Sequence, residues 1–307
     1  MAVAFEAGMA DSTVSSAAYT IASSTGPAWY NNSWSYRKAI AIQHTKVSGS
    51  SNLTNFPVLI SLATDSDLAA NAQPSGNDIL FTDSSGINKL NHEIEGYNST
   101  TGQWIAWVQV PSVSPAADTV IYAYYGNPSA SAQQNKTSVW DANYQGVWHL
   151  SNGTVLNATD STSHGYNGTI GNAKAAAGEI DGGASFNGSN ASVDLGGGSG
   201  LHITGPVTAQ AWVNVTAWPA NGYPAGLLGM GYSYASSWTG WMLEASTDNG
   251  GNHYLNWTSN NGTTHGVASP STVATGTWHQ MVGTFDGSTW KMYLDGAANG
   301  SSVDGTA

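Results

Sequence analysis

Apolar residues in this chain fall in short runs, each bounded by Gly, Asn, Ser or Pro. The clearest are YRKAIAI (36–42), FPVLISL (56–62), WIAWVQV (104–110), TVIYAYYG (119–126), AQAWVNV (209–215) and TWKMYLDG (289–296). Runs of this length, rich in β-branched and aromatic residues and alternating between two faces, predict strands. Helical spacing is confined to DSDLAANAQ (65–73), where Asp65 or Ser66 can cap a short turn of helix. Short strands separated by turn signals, without alternating helices, predict an all-β chain of tandem β-sandwiches.

Shifts along the chain suggest three parts. Residues 1–22 carry one or two strands, and SSTGPAWYNNS (23–33) reads as a linker because it mixes Gly, Pro and small polar residues. A second part runs from Trp34 to about Lys136, and a third from about Val139 to Ala307.

Composition narrows the setting. Charged residues are 8% of the chain, against roughly 25% in an ordinary soluble protein, so Ser, Thr, Asn and Gly must cover the surface. A net charge of −12 with 7 Lys and Arg argues against nucleic acid, which demands basic clusters, and against an anionic membrane surface. There is no Cys, hence no disulfide and no thiolate metal site. No apolar run reaches the roughly 18 residues of a membrane span, so membrane insertion is not expected. The composition is that of an extracellular or cell-surface protein. MAVAFEAGMADSTV lacks the basic and apolar regions of a signal peptide, so the signal is expected upstream and the chain reads as a fragment.

Three resemblances sit on these parts. AFEAGMADSTVSSAAYTI, within residues 1–22, resembles the closing hairpin of the small β-sandwich at the C-terminus of chitobiase-type hexosaminidases. WSYRKAIAI, LTNFPVLISL, DILFTD, KLNHEIEGY, WIAWVQVP and DTVIYAYYGN, within 34–136, resemble a domain of unknown function common in bacterial and archaeal surface proteins. VWHLSNG, DSTSHGYNGT, IDGGASFNG and TWHQMVGTFDGSTWKMYLDG, within 139–307, resemble the concanavalin-A-like, laminin-G-like jelly roll. That family usually ends on a further pair of strands, and nothing of that kind follows Gly296. The jelly roll is therefore expected to be incomplete, with an unpaired strand edge open to self-association.

Candidate chemistry is sparse. In GEIDGGASFNG (178–188), Glu179 and Asp181 would share one face of a strand about 6.5–7 Å apart. A retaining glycosidase needs two carboxyl groups about 5–5.5 Å apart. Jelly-roll glucanases add a later Glu where this chain has Gly183 and Ala184. The pair is read as structural, and no place is expected where acids and bases converge. HEIEG (92–96) lacks the second His of a zincin helix and reads as a strand edge with solvated carboxylates. His44, His149, His164, His202, His253, His265 and His279 show no ligand spacing. No cofactor is required by any motif. The loop NATDSTSHGYNG (157–168) can supply oxygen ligands to a structural calcium ion through Asp160, a residue that reads equally as a turn-capping Asp.

Sugar binding calls for aromatic shelves. Within AWPANGYPAGLLGMGYSYASSWTGW (217–241), Trp218, Tyr223, Tyr232, Tyr234 and Trp238 lie in or beside turns, where a ring is free to face a glycan. Trp212, Trp241, Trp257, Trp278 and Trp290 lie on regular alternation and are assigned to the core. The leading expectation is a non-catalytic module of a large secreted or surface-anchored protein, binding a glycan or cell-surface polysaccharide or mediating adhesion. An accessory segment of a polysaccharide-degrading enzyme and a structural spacer are the alternatives.

Overall fold

The computed structural model describes residues 2–3, 27–151, 154–220, 224–230, 240–260, 264–269 and 273–302. Apart from residues 2–3, the segment likened to a chitobiase-type tail lies outside the described residues, so that expectation is untouched. The chain divides into two compact units, the first holding 12–186 with 1–5 and 192–196, the second 197–307 with 6–11 and 187–191. Residues 139–186, placed by sequence in the third part, pack within the first unit. The described residues are almost entirely strand and loop, with one α-helix.

In the first unit the elements are β1 (Ala2–Val3), β2 (Tyr36–Ile42), β3 (Leu53–Leu62), α1 (Ser66–Asn71), β4 (Leu80–Thr82), β5 (Lys89–Leu90) and β6 (His92–Asn98). They continue with β7 (Gln103–Val113), β8 (Thr119–Tyr125), β9 (Thr169–Gly171), β10 (Lys174–Ala177), β11 (Gly182–Ser185) and β12 (Ser192–Asp194). Two antiparallel sheets, ordered β1-β3-β7-β6 and β2-β8-β4-β5, form a sandwich. Phe81 of one sheet stacks on Trp104 of the other at 4.9 Å between ring centres. The helix begins where expected: the Asp65 carboxylate accepts from the Asp67 and Leu68 backbone N–H groups, satisfying donors that the first turn leaves open.

Sheet β1-β3-β7-β6 is buried on both faces. Val58, Ile60, Trp104, Ala106 and Val108 line the sandwich core, while Leu59 and Ile105 on the opposite face are buried as well. Burial on both sides is why FPVLISL and WIAWVQV are nearly continuous apolar runs and not strict alternations.

The second unit contains β13 (Val207–Asn214), β14 (Ala225–Gly229), β15 (Gly240–Thr247), β16 (His253–Asn260), β17 (Thr264–Ala268), β18 (Trp278–Phe285), β19 (Trp290–Leu294) and β20 (Ala297–Ser302). They build two antiparallel four-stranded sheets, β13-β18-β19-β20 and β14-β15-β16-β17, over one core of Leu243, Leu255, Trp257, Met281, Phe285, Trp290 and Met292. Trp257 and Trp290 meet across the sheets at 5.3 Å. A side chain at Gly283 would come within 2.4 Å of the Trp257 ring, so the glycine is what lets the indole lie flat on β18. Of the five Trp assigned to the core, Trp257 and Trp290 are fully buried, whereas Trp212, Trp241 and Trp278 are half-buried.

Candidate functional site

The second unit carries the residues expected to meet a glycan. Trp218 is half-buried: it packs against the core cluster and stacks on His253, ring centres 4.9 Å apart and planes 3° from parallel. Thr247 ties this corner together, its hydroxyl donating to the Pro219 carbonyl and lying 3.0 Å from His253 Nδ1. Trp218 thus closes one end of the core as well as offering ring surface. Tyr223, Tyr232, Tyr234 and Trp238 lie outside the described residues.

Alternation along β15 and β16 sends Leu243, Ala245, Leu255 and Trp257 to the core and Glu244, Ser246 and Asn256 to the opposite face. Glu244 and Asn256 are direct cross-strand partners. Asn256 Nδ2 donates to Glu244 Oε1 at 2.9 Å and to Ser246 Oγ at 2.7 Å. Burial pushes the Glu244 carboxyl above its ordinary value, the Asn256 bond opposing it. Among the described residues Glu244 forms no ion pair and has no acid as electrostatic neighbour. Glu244 and Asn256 are each only 9% exposed, so this amide, hydroxyl and carboxyl ladder is largely closed from solvent and its groups bond one another.

The first unit holds a cluster that sequence reasoning missed. The HEIEG carboxylates are not solvated: the Glu93 and Glu95 side chains are only 8% and 3% exposed. Trp140, His149 and Ser161 cover the face that both acids share, and a β-bulge lies beside them. Ile94 pairs with Ala106 and Gly96 with the adjacent Ile105, leaving Glu95 as the extra residue. Glu93, opposite Trp107, and Glu95 face the same imidazole. His149 Nε2 lies 3.2 Å from Glu93 Oε2, and Nδ1 lies 3.3 Å from Glu95 Oε2. Three further donors complete the carboxylates: Trp107 Nε1 to Glu95 at 2.7 Å, Trp140 Nε1 to Glu93 at 3.1 Å, and Ser161 Oγ to Glu93 at 2.6 Å. Acid and base groups therefore do converge, contrary to the expectation, but they are bonded to one another and closed from solvent.

Asp181 approaches the same place, its carboxylate sitting against Gly96. Glu179 and Asp181 are not on a strand as assumed. They occupy the turn joining β10 to β11, closed by the Gly178 N–H donating to the Asp181 carbonyl. Glu179 points to solvent while Asp181 is half-buried, so the two do not form a catalytic pair. HEIEG and VWHL carry the signal that could have found this cluster, since acids at 93 and 95 and a Trp-His pair at 148–149 mark both halves.

Asp160 is placed as a turn-capping acceptor, the other reading that its loop allows. It accepts from the Val147, Thr162 and Tyr166 backbone N–H groups and from the Thr162 hydroxyl, at 2.8–3.0 Å. Both carboxylate oxygens are thus taken by donors whose hydrogens point where a cation would sit. Burial pushes the Asp160 carboxyl up, but these bonds outweigh it and hold it below its ordinary value. No group of three His, Asp or Glu able to hold a metal occurs among the described residues. A cavity of about 720 Å³ in the first unit is lined by Lys38, Asp65, Asp67 and neighbouring Ser, Thr and Ala residues. Its cation is shared by two carboxylates, with Lys38 Nζ 2.6 Å from Asp65 and 3.4 Å from Asp67.

The sequence sets these two units among known families. Residues 187–307 match the Concanavalin A-like lectin/glucanases superfamily. That assignment agrees with the two stacked sheets of the second unit. Residues 75–151 match a domain of unknown function, DUF2341, a segment that includes Glu93, Glu95, Trp107, Trp140 and His149. Both matches follow the order expected from the sequence. Domain 4 of AbnA, an extracellular GH43 arabinanase from Geobacillus stearothermophilus solved with arabinotriose, is 19% identical at a TM-score of 0.39, over 48% of this chain and 70% of that one. A Bacteroides ovatus protein named for carbohydrate binding is 12% identical at a TM-score of 0.28, over 89% of this chain and 66% of that one. Likeness at this level assigns neither site nor ligand here. No curated protein matches the chain.

Proposed function

We propose that the concanavalin A-like unit is a non-catalytic carbohydrate-binding module and that the chain works outside the cell or on its surface. The observation that carries this reading is the match of the unit to a lectin and glucanase superfamily. On the β14–β17 face Glu244, Asn256 and Ser246 form a hydrogen-bonded ladder, with Glu244 and Asn256 each only 9% exposed, and among the described residues Glu244 has no acid as electrostatic neighbour. The Trp218–His253 stack is a separate aromatic surface at the end of the β15–β16 pair, on its core side. Sparse charge and a net −12 suit a neutral polymer better than a polyanion. No helix among the described residues is long and apolar enough to cross a membrane.

Retention of the folded chain on immobilised neutral polysaccharides tests the proposal. Glu244→Gln and Trp218→Ala are each expected to weaken retention. Trp218→Ala also lowers the melting temperature, because the ring packs on the core, so retention is measured well below unfolding. Adhesion and attachment to a polysaccharide-degrading enzyme are two uses of the same binding. A pure spacer predicts no retention by the unaltered chain.

A further inference from the structure

The edge strand β6 is covered on its free side by the chain that follows the first sandwich. The Ile94 N–H donates to Gln134 Oε1 at 2.7 Å, and the Asn135 N–H donates to the His92 carbonyl at 3.0 Å. Beyond these backbone contacts, residues 139–181 reach β6 and β7 through the acid cluster: Trp140, His149 and Ser161 bond Glu93 or face Glu95, and Asp181 sits against Gly96. Much of 139–168 is loop and not strand, so side chains must supply the hold that a β-ladder would otherwise give. Covering the edge also removes a template for unwanted strand pairing.

We propose that the Glu93–His149–Glu95 cluster is a proton-dependent clasp that holds residues 139–181 against the β6 edge. Both imidazole nitrogens face carboxylate oxygens, so both must carry hydrogen for neither contact to be a repulsion between lone pairs. With both carboxylates ionised, the imidazolium meets that demand. Trp107 stacks on the ring at 5.8 Å and Trp140 lies tilted at the same distance, the two indoles 5.3 Å apart, a placement that suits a cation against a π face.

Charges reach His149 from every side that packs on it: Glu93 and Glu95 from β6, Asp181 from the β10–β11 turn, and Lys136 from the preceding loop. Burial pushes His149 down, but the Glu93 bond and the charges of Glu95 and Glu93 outweigh it and hold the ring above its ordinary value, Lys136 opposing. Burial pushes Glu93 up, and its bonds from His149, Ser161 and Trp140 bring it below its ordinary value. Glu95 is pushed up by burial, with Asp181 and Glu93 adding to it against His149 and Trp107. Asp181 is raised by burial against the pull of His149.

The signs define a window. The His149 contribution is complete below the free imidazole pKa of about 6.5 and is lost as pH rises through the higher folded value. The Glu93 contribution is complete above its unfolded value and is lost as pH falls through the lower folded value. Glu95 and Asp181 carry the opposite sign, since burial disfavours their ionised forms, so what they add is fullest at low pH and is lost as pH rises. The clasp is therefore closed in mild acid and loosens as pH rises through the folded His149 value.

Two measurements on the full chain test this. In ¹⁵N NMR, His149 should show both nitrogens protonated at pH 6 and titrate above the solvent-exposed histidines; Glu93→Gln should lower its midpoint. Amide exchange, corrected for its intrinsic pH dependence, should report opening of residues 139–162 that increases about tenfold per pH unit between the free and the folded His149 values, then levels off. His149→Gln should abolish that pH dependence and leave the segment open throughout. A neutral His149 at pH 6, or protection of 139–162 that is independent of pH in the unaltered chain, overturns the proposal. The NMR titration decides alone if His149→Gln does not fold.

Discussion

Substituting Gly283 by Ala probes the packing of the concanavalin A-like unit at its tightest point. The added methyl would lie 2.4 Å from Trp257 Cδ2 and 2.6 Å from Cγ, against a carbon–carbon contact distance of about 3.5–4.0 Å. The indole cannot step aside easily. It is fully buried, lies 5.6 Å from Trp241 and 5.3 Å from Trp290, and donates to the Thr284 carbonyl at 3.2 Å. Ring or strand must therefore shift by about 1 Å, and overpacking of this kind costs about 1–3 kcal/mol or more. At about 3 kcal/mol, a unit of roughly 100 residues melts about 12–24 °C lower. Calorimetry of the full chain, with near-ultraviolet circular dichroism to follow the tryptophans, would resolve that shift. Gly205→Ala is the control, since a methyl there meets nothing within 4 Å and should change stability by about 0.5 kcal/mol or less. Pairing Gly283→Ala with Trp257→Leu should recover part of the loss, because the two changes share one space. A Gly283→Ala chain melting within about 2 °C of the unaltered one, a shift worth at most about 0.5 kcal/mol, would mean that Trp257 does not lie on β18.

Other perturbations have defined outcomes. Asp160→Asn keeps the shape of the side chain but replaces an acceptor of donors at both oxygens; it should cost about 1.5–3 kcal/mol by denaturant unfolding, while chelators leave the melting temperature unchanged. Because Asp160 is held below its ordinary value, the stability it adds is present above that ordinary value and fades as pH falls through the lower folded one, so Asp160→Asn should flatten the acid limb of the stability profile. Asp65→Ala removes the cap of α1 and one partner of Lys38; a loss of about 1–2 kcal/mol is expected in urea.

Much of the architecture can be read from the residues because local chemistry and tertiary context agree there. YRKAIAI is β2 from end to end, and Asp65 caps the one helix because its short carboxylate suits that position. WIAWVQV was readable as a strand, but its near-continuous apolar character meant burial on two faces, which only the chain packed behind it explains. HEIEG misled for a related reason. Strand alternation puts both acids on one face, which reads as solvated, but that face is covered and both acids meet the same imidazole. The partners that neutralise them lie some fifty residues away, at Trp140, His149 and Ser161, and no spacing rule links such distant positions. Asp160 shows the converse. Its loop has the oxygen-rich composition of a calcium site, but the backbone curls so that N–H groups fill the carboxylate. Composition does not reveal which way a peptide group points.

The account turns on a lectin-type unit that binds a polymer without cutting it. Incubating the purified chain with neutral polysaccharides, and measuring in the same samples both the protein retained and the reducing ends released, tests that most directly. Retention on at least one polymer, weakened by Glu244→Gln, with no reducing ends above the protein-free blank, is the predicted result. Reducing ends that appear with the unaltered chain and vanish with Glu244→Gln would contradict it.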